Sequence, residues 1–237
     1  MWERSITVKD CKVADYILKR MKADLENICL VTLNNQIGNN QIMLACEDYD
    51  QTRVKLFLNE IIIDAVCNFY KIEFLNTKLQ LPVKNGIYVR ALKKALLSFD
   101  KETDAYIIAK NLNFDNNLNL DGFYYFQLKS LREKWEELAG IANDNGYFLV
   151  SPENFIDLLR FLVDNLEITH ETLNVYCDDT EVKIYDELNT KYEIKEGEDL
   201  LSTLIGLSPK KINFYGDNRS EKYLLISQVF DKRMNFL

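Results

Sequence analysis

Apolar residues recur every fourth position at Val13, Ile17, Met21 and Leu25, which predicts a helix, and Asp10 stands where its N-cap belongs. Residues 6–8 form a short strand candidate ahead of it. Residues 28–33 and 41–46 predict two further strands, joined by a stretch holding Asn34, Asn35, Gly38, Asn39 and Asn40, residue types that tolerate turn geometry. From residue 51 to 78 the pattern predicts one long helix, with Val54, Leu58, Ile61, Ala65, Asn68 and Ile72 succeeding one another along one side. Phe57, Ile62, Val66 and Phe69 widen that stripe, as suits a helix that covers a sheet with one face and meets other helices with the next.

Leu81-Pro82 interrupts the pattern, and residues 88–99, 103–112 and 122–143 then predict helices. In the last of these Tyr124, Leu128, Leu131, Trp135 and Leu138 make an apolar side, against a charged side of Arg132, Glu133 and Glu136. Ser151-Pro152-Glu153 reads as a cap followed by proline at the first helical position, ahead of a core stripe of Phe155, Leu158, Leu159, Leu162 and Val163 that ends near Leu166. The period then shortens. Residues 172–176 and 182–185 predict a hairpin around Asp178-Asp179-Thr180, followed by a short helix ending at Gly206, a strand over 211–215, a helix over 220–230 and a last strand within 233–237. The expected class is α+β, with small mixed α/β units at 1–80 and 171–237, a helical middle at 81–170, and terminal strand groups free to share one sheet.

Composition narrows the class of protein. In 237 residues, 47% are hydrophobic and 28% charged, with three prolines and eight glycines, which excludes collagen-like and disordered chains and allows a core without staples. The net charge of -8 is uneven: residues 1–120 hold 16 basic and 15 acidic side chains, residues 121–237 hold 13 and 22. So acidic a second half disfavours general nucleic-acid binding. Five cysteines, at 11, 29, 46, 67 and 177, leave an odd thiol and no Cys-x-x-Cys unit, so reduced thiols and a cytoplasmic location are expected. The first residues carry Glu3 and Arg4 and no apolar run, giving no expectation of a signal peptide, and the most apolar stretch, 54–66, is broken by Lys55, Glu60 and Asp64, so no membrane span is expected.

Candidate chemistry is sparse. The chain has no phosphate-loop or dinucleotide pattern, no His-Glu-x-x-His and no nucleophile elbow, and its one histidine, His170, sits in a segment that reads as a helix end. No metal, cofactor or catalytic residue is expected from these signals. Asp178 and Asp179 are candidates for a polar pocket, while Asp115, Asp121, Glu196, Glu198 and Asp199 read as loop formers or caps. Lys84, Arg90, Lys93 and Lys94 form a basic cluster that could meet a phosphate or an acidic partner, and Lys210-Lys211 marks the entrance to an apolar strand. Tyr124 and Trp135 read as core or subunit-interface residues.

Four segments carry a likeness to a known family: Asp199 to Ile205, Leu207-Ser208-Pro209-Lys210-Lys211-Ile212, Val229-Phe230-Asp231-Lys232-Arg233, and Gly122-Phe123-Tyr124-Tyr125-Phe126-Gln127-Leu128-Lys129. Over roughly residues 85–237 the chain resembles the YtxC-like sporulation protein family. The resemblance implies a cytosolic, sporulation-associated protein of a spore-forming firmicute with no established biochemical activity. It transfers no catalytic residue; Lys210, Lys211, Asp231 and Arg233 are the polar positions it marks for a functional role.

Three functional expectations follow. The first is a noncatalytic interaction or scaffold protein, with a homodimer or partner groove near Tyr124 and Trp135. The second is an enzyme or ligand-binding protein with a pocket between the terminal α/β units, using Asp178, Asp179, Lys210 or Lys211. The third is weak nucleic-acid binding at Lys84, Arg90, Lys93 and Lys94.

Overall fold

The computed structural model describes residues 1–36, 38–80, 86–144, 152–178 and 181–237. Lys84, Asp179, Ser151 and the Leu81-Pro82 break lie outside the described residues. The fold is α+β. Two compact units divide the chain: residues 1–78 with 102–137, and residues 79–101 with 138–237. The helical stretch over 81–170 is shared out between them, and each unit builds a sheet of its own, so among the described residues the terminal strand groups do not join.

The N-terminal unit contains β1 (Trp2–Val8), α1 (Cys11–Leu25), β2 (Leu30–Gln36), β3 (Asn39–Cys46) and α2 (Gln51–Ala65). Asp10 caps α1 by accepting from Lys12 N at 2.7 Å, satisfying one of the donors that every helix start leaves over. Further on come α3 (Lys71–Lys78), α5 (Lys101–Asn111), the two-residue strand β4 (Leu118–Asn119) and the single turn α6 (Leu120–Gly122). The strand order is β2-β3-β1-β4, antiparallel except for β4, which runs parallel to β1 through Ile6 and Leu118. Alternation decides what each face does: Ile6, Val8, Ile42 and Leu44 are buried against the core, while Glu3, Leu30, Thr32 and Met43 are exposed on the opposite face.

The long helix expected over 51–78 is interrupted by a π-helical turn, Val66–Tyr70. Such a turn holds one residue more than an α turn and therefore rotates every later side chain by roughly 100°. Val54, Leu58, Ile61 and Ala65 are buried as the sequence pattern predicts, but Asn68 and Ile72 are then exposed, and Tyr70 and Lys71 face inward instead. Lys71 is only 1% exposed; its Nζ lies 2.7 Å from Asp104 Oδ2, and Trp135 Nε1 donates to the same oxygen at 3.1 Å. A second π-helical turn, Phe123–Gln127, breaks what the pattern gives as one helix over 122–143 and precedes α7 (Lys129–Asp144). It leaves Phe123, Tyr124, Leu128, Leu131 and Trp135 buried and turns Phe126 outward, 84% exposed.

The C-terminal unit contains α4 (Ile87–Ser98), α8 (Pro152–Asp164), β5 (His170–Cys177), β6 (Val182–Asp186), β7 (Lys191–Tyr192), α9 (Leu200–Leu207), β8 (Pro209–Gly216), α10 (Glu221–Phe230) and β9 (Met234–Phe236). The strand order is β7-β6-β5-β8-β9, with β5, β8 and β9 parallel and the rest antiparallel. Parallel neighbours need crossovers, which the segment carrying α9 and the helix α10 provide. Leu173, Val175, Ile184, Ile212 and Phe214 are fully buried on one face, and Phe214 meets Tyr223 of α10 edge-on at 5.2 Å.

Two local readings change here. His170 begins β5 rather than ending a helix, because Glu167 to Thr169 already lie beyond α8. Gly206 does not terminate α9, which runs to Leu207 and ends on Ser208 in the left-handed region (φ 38°). Gly206 instead permits a close approach to α4: a Cβ there would sit 2.3 Å from Lys94 Cε.

Candidate functional site

The basic cluster singled out by sequence is drawn into ion pairs within the C-terminal unit. Arg90 Nε donates to Asp199 Oδ2 at 2.8 Å and Lys94 Nζ to Glu198 Oε1 at 2.9 Å, while Asp199 Oδ1 caps α9 through Ser202 N at 2.9 Å. These contacts clamp α4 to the start of α9, so the two cations complement neighbouring acids of the same unit. Lys93 occupies the same helix.

The remaining positions divide between fold and surface. Tyr124 and Trp135 are 5% and 1% exposed, so the core alternative holds for both and neither presents a groove to a partner. Asp178 is exposed in the β5–β6 connection, where its N–H donates to Glu181 O at 3.0 Å. Lys210 is exposed and pairs with Glu171 at 2.8 Å, and Lys211 is exposed on the neighbouring position of β8. Arg233 donates to Pro209 O at 3.1 Å and approaches Asp164, fastening β9 to the start of β8; Asp231 is an exposed residue with φ 39° between α10 and β9. Asp115 and Asp121 serve the N-terminal unit, Asp121 accepting from Lys9 N and the Tyr70 hydroxyl. Among the described residues no group of three or more His, Cys, Asp or Glu is placed to hold a metal ion.

His170 joins a polar chain in the C-terminal unit. Its Nε2 lies 3.0 Å from the Tyr192 hydroxyl, which donates to Asp186 Oδ2 at 3.0 Å, and its Nδ1 lies 2.8 Å from Leu207 O. Burial pushes the Asp186 carboxyl up, but donation from Thr190, Tyr192 and Leu188 outweighs it and holds the group below its usual value. Burial and the same carboxylate push Tyr192 up. The chain ties β5, β6 and β7 to the end of α9 and accounts for the only histidine.

What the sequence does not single out is the outer face of the C-terminal sheet. Register places Asn174 beside Asn213 and Asn213 beside Asn235, Tyr176 beside Tyr215, and Thr172 beside Lys211. The three asparagines form a ladder, Asn235 Nδ2 donating to Asn213 Oδ1 at 3.2 Å and Asn213 Nδ2 to Asn174 Oδ1 at 3.0 Å. Tyr176 and Tyr215 stack at 4.5 Å with an interplanar angle of 9°, and Tyr185 packs edge-on against Tyr176. Lys183 and Lys191 occupy the facing positions of β6 and β7. Asn, Tyr, Lys and Thr fill the facing positions of the paired strands, with no carboxylate among them. Each of these residues is only partly covered, and carboxylates next along the strands meet two of the lysines, Glu181 pairing with Lys183 at 2.8 Å and Glu193 with Lys191 at 3.9 Å. Two-residue spacing at 172, 174 and 176 and at 211, 213 and 215 is the signal that could have revealed it.

An α+β chain with two mixed sheets is the class that this geometry defines. In comparisons with known proteins, no family model, no curated protein and no solved structure matches it. Among the described residues, no helix is long and apolar enough to cross a membrane.

Proposed function

We propose that this is a noncatalytic interaction protein, acting in the sporulation setting that its resemblance to the YtxC-like family implies, and that it holds an acidic protein partner on the outer face of the C-terminal sheet. The observation that carries the reading is the composition of that face. Lys211 is exposed beside Thr172, and Lys183 and Lys191, which pair with the exposed Glu181 at 2.8 Å and Glu193 at 3.9 Å, can exchange those acids for a partner's, within a unit that has more acidic than basic side chains. A cationic patch on an acidic body gives orientation as well as attraction. The tyrosine stack and asparagine ladder add preformed hydrogen-bonding groups that lose little freedom when a partner arrives.

A photo-crosslinking residue at Tyr176, introduced in sporulating cells, tests the face, and deletion of the gene tests the setting. The expected result is one crosslinked protein that disappears with Lys183→Glu/Lys211→Glu, together with a fall in heat-resistant spores on deletion. Crosslinking that survives both charge reversals removes the face from the reading, and normal sporulation of the deletion strain removes the setting.

A further inference from the structure

We propose that the N-terminal unit holds a second binding site, a cleft beside β4 that takes an extended, uncharged peptide segment of another protein. The cleft has a volume of about 600 Å³ and is lined by Asn113, Asn116, Asn117, Asn119, Phe126 and Gln127 over a floor that includes Phe123. That volume lies in the range of specific ligand pockets. Among the described residues no charged side chain lines it, in a chain of which 28% of residues are charged. An ionic ligand would find no counter-charge there, so the matching chemistry is neutral.

Hydrogen bonding refines the ligand further. Asn113 Oδ1 accepts from Asp115 N at 2.7 Å, Asn117 Oδ1 from Ser5 N at 3.0 Å, and Asn119 Oδ1 from Gly122 N at 2.9 Å. Because a backbone N–H can meet only the oxygen of an amide, these bonds fix which end of each side chain faces the protein. The amide nitrogens of three exposed residues are thereby left as outward donors. A donor array asks for acceptors. Sugar hydroxyls can accept as well, but an extended peptide presents carbonyl oxygens along one edge at every second residue, roughly 6.6 Å apart, in a regular row that matches a row of donors.

Two further features fit a peptide. Among the described residues β4 is the end strand of its sheet, paired with β1 on one side only, so its other edge can receive an added strand. The π-helical turn places Phe126 at the rim, 84% exposed, where an apolar side chain of the ligand can cover it. In this arrangement the carbonyls of the segment meet the amides of Asn117 and Asn119 and one apolar side chain rests on Phe126.

The test is selection of a phage-displayed library of random dodecapeptides on the full-length chain, followed by affinity measurement on variants. Asn117→Asp/Asn119→Asp keeps the inward oxygen and replaces only the outward donor, and Phe126→Ala trims an exposed ring; circular dichroism of both should match the parent. Expected are enriched, mostly uncharged peptides whose affinity falls at least tenfold on each variant and is unchanged on Asn218→Asp, an exposed control in the other unit. Failure to enrich any peptide above background, or equal affinity for all variants, overturns the site. Binding of chitotetraose that is lost on the same variants overturns the peptide in favour of a glycan.

Discussion

The buried pair Lys71–Asp104 provides the most demanding check on the packing of the N-terminal unit. At 2.7 Å and an effective dielectric of about 20, its gross attraction is about 6 kcal/mol, most of which offsets the desolvation of two ions that are 1% and 2% exposed. The net contribution of the pair is therefore small, while the cost of removing one member is large. Lys71→Met leaves a buried carboxylate without its ammonium and should destabilise the unit by about 3–5 kcal/mol, and Asp104→Asn, which leaves the ammonium facing a neutral amide, by about 3 kcal/mol. In the double variant neither charge of the pair remains, and the amide oxygen introduced by Asp104→Asn can still accept from Trp135 Nε1, so the expected loss is only about 1–2 kcal/mol. Urea unfolding followed by tryptophan fluorescence reads this unit specifically, because both tryptophans, Trp2 and Trp135, belong to it. The reasoning is refuted if the two single losses add to within about 0.5 kcal/mol in the double variant, as independent sites do.

Two other outcomes follow from the same structure. Of five thiols, only Cys11 is exposed, while burial first and the neighbouring Cys46 second push Cys29 up to about 11; a maleimide at neutral pH should label one thiol quickly in the native chain and five in denaturant, and a second fast thiol would contradict the core. Asp186 has its carboxyl held below the ordinary 3.8, so its contribution to stability is complete above that value and is lost as the pH falls through the lower folded-state value. The urea midpoint should therefore drop less between pH 5 and pH 3 in Asp186→Asn than in the parent, and equal drops would show that the carboxylate contributes nothing.

The helices and strands that bury a regular stripe were legible in the sequence. The alternation at Ile42, Leu44 and Cys46 and the fourfold spacing from Val13 to Leu25 state directly which side meets the core. Legibility failed at the first π-helical turn, because periodicity assumes a constant turn and one extra residue carries Lys71 inward without any change of composition, whereas the second leaves the expected stripe of Tyr124, Leu128, Leu131 and Trp135 buried. It failed again at β4, where two residues hold their place only by pairing with β1 more than 100 positions earlier. Candidate sites suffered for a related reason. Arg90 and Lys94 look like a free cationic face until Glu198 and Asp199, about 100 residues later, are brought against them. The asparagine ladder is the converse case: Asn174, Asn213 and Asn235 are ordinary polar positions singly and form a feature only through register across three strands.

The N-terminal unit is completed out of sequence, by residues 102–137, and this bears on how the chain is made. A ribosome releases residues 1–78 before a piece of the other unit, and only afterwards Asp104, β4 and Trp135. At about 5–20 residues per second, the roughly 60 residues from Lys78 to Glu137 take about 3–12 seconds to appear. For that interval Lys71 has no Asp104 and β1 lacks its parallel neighbour. Residues 1–78 of the nascent chain are thus an unfinished sheet with an open edge, the state in which a chaperone would most often meet them.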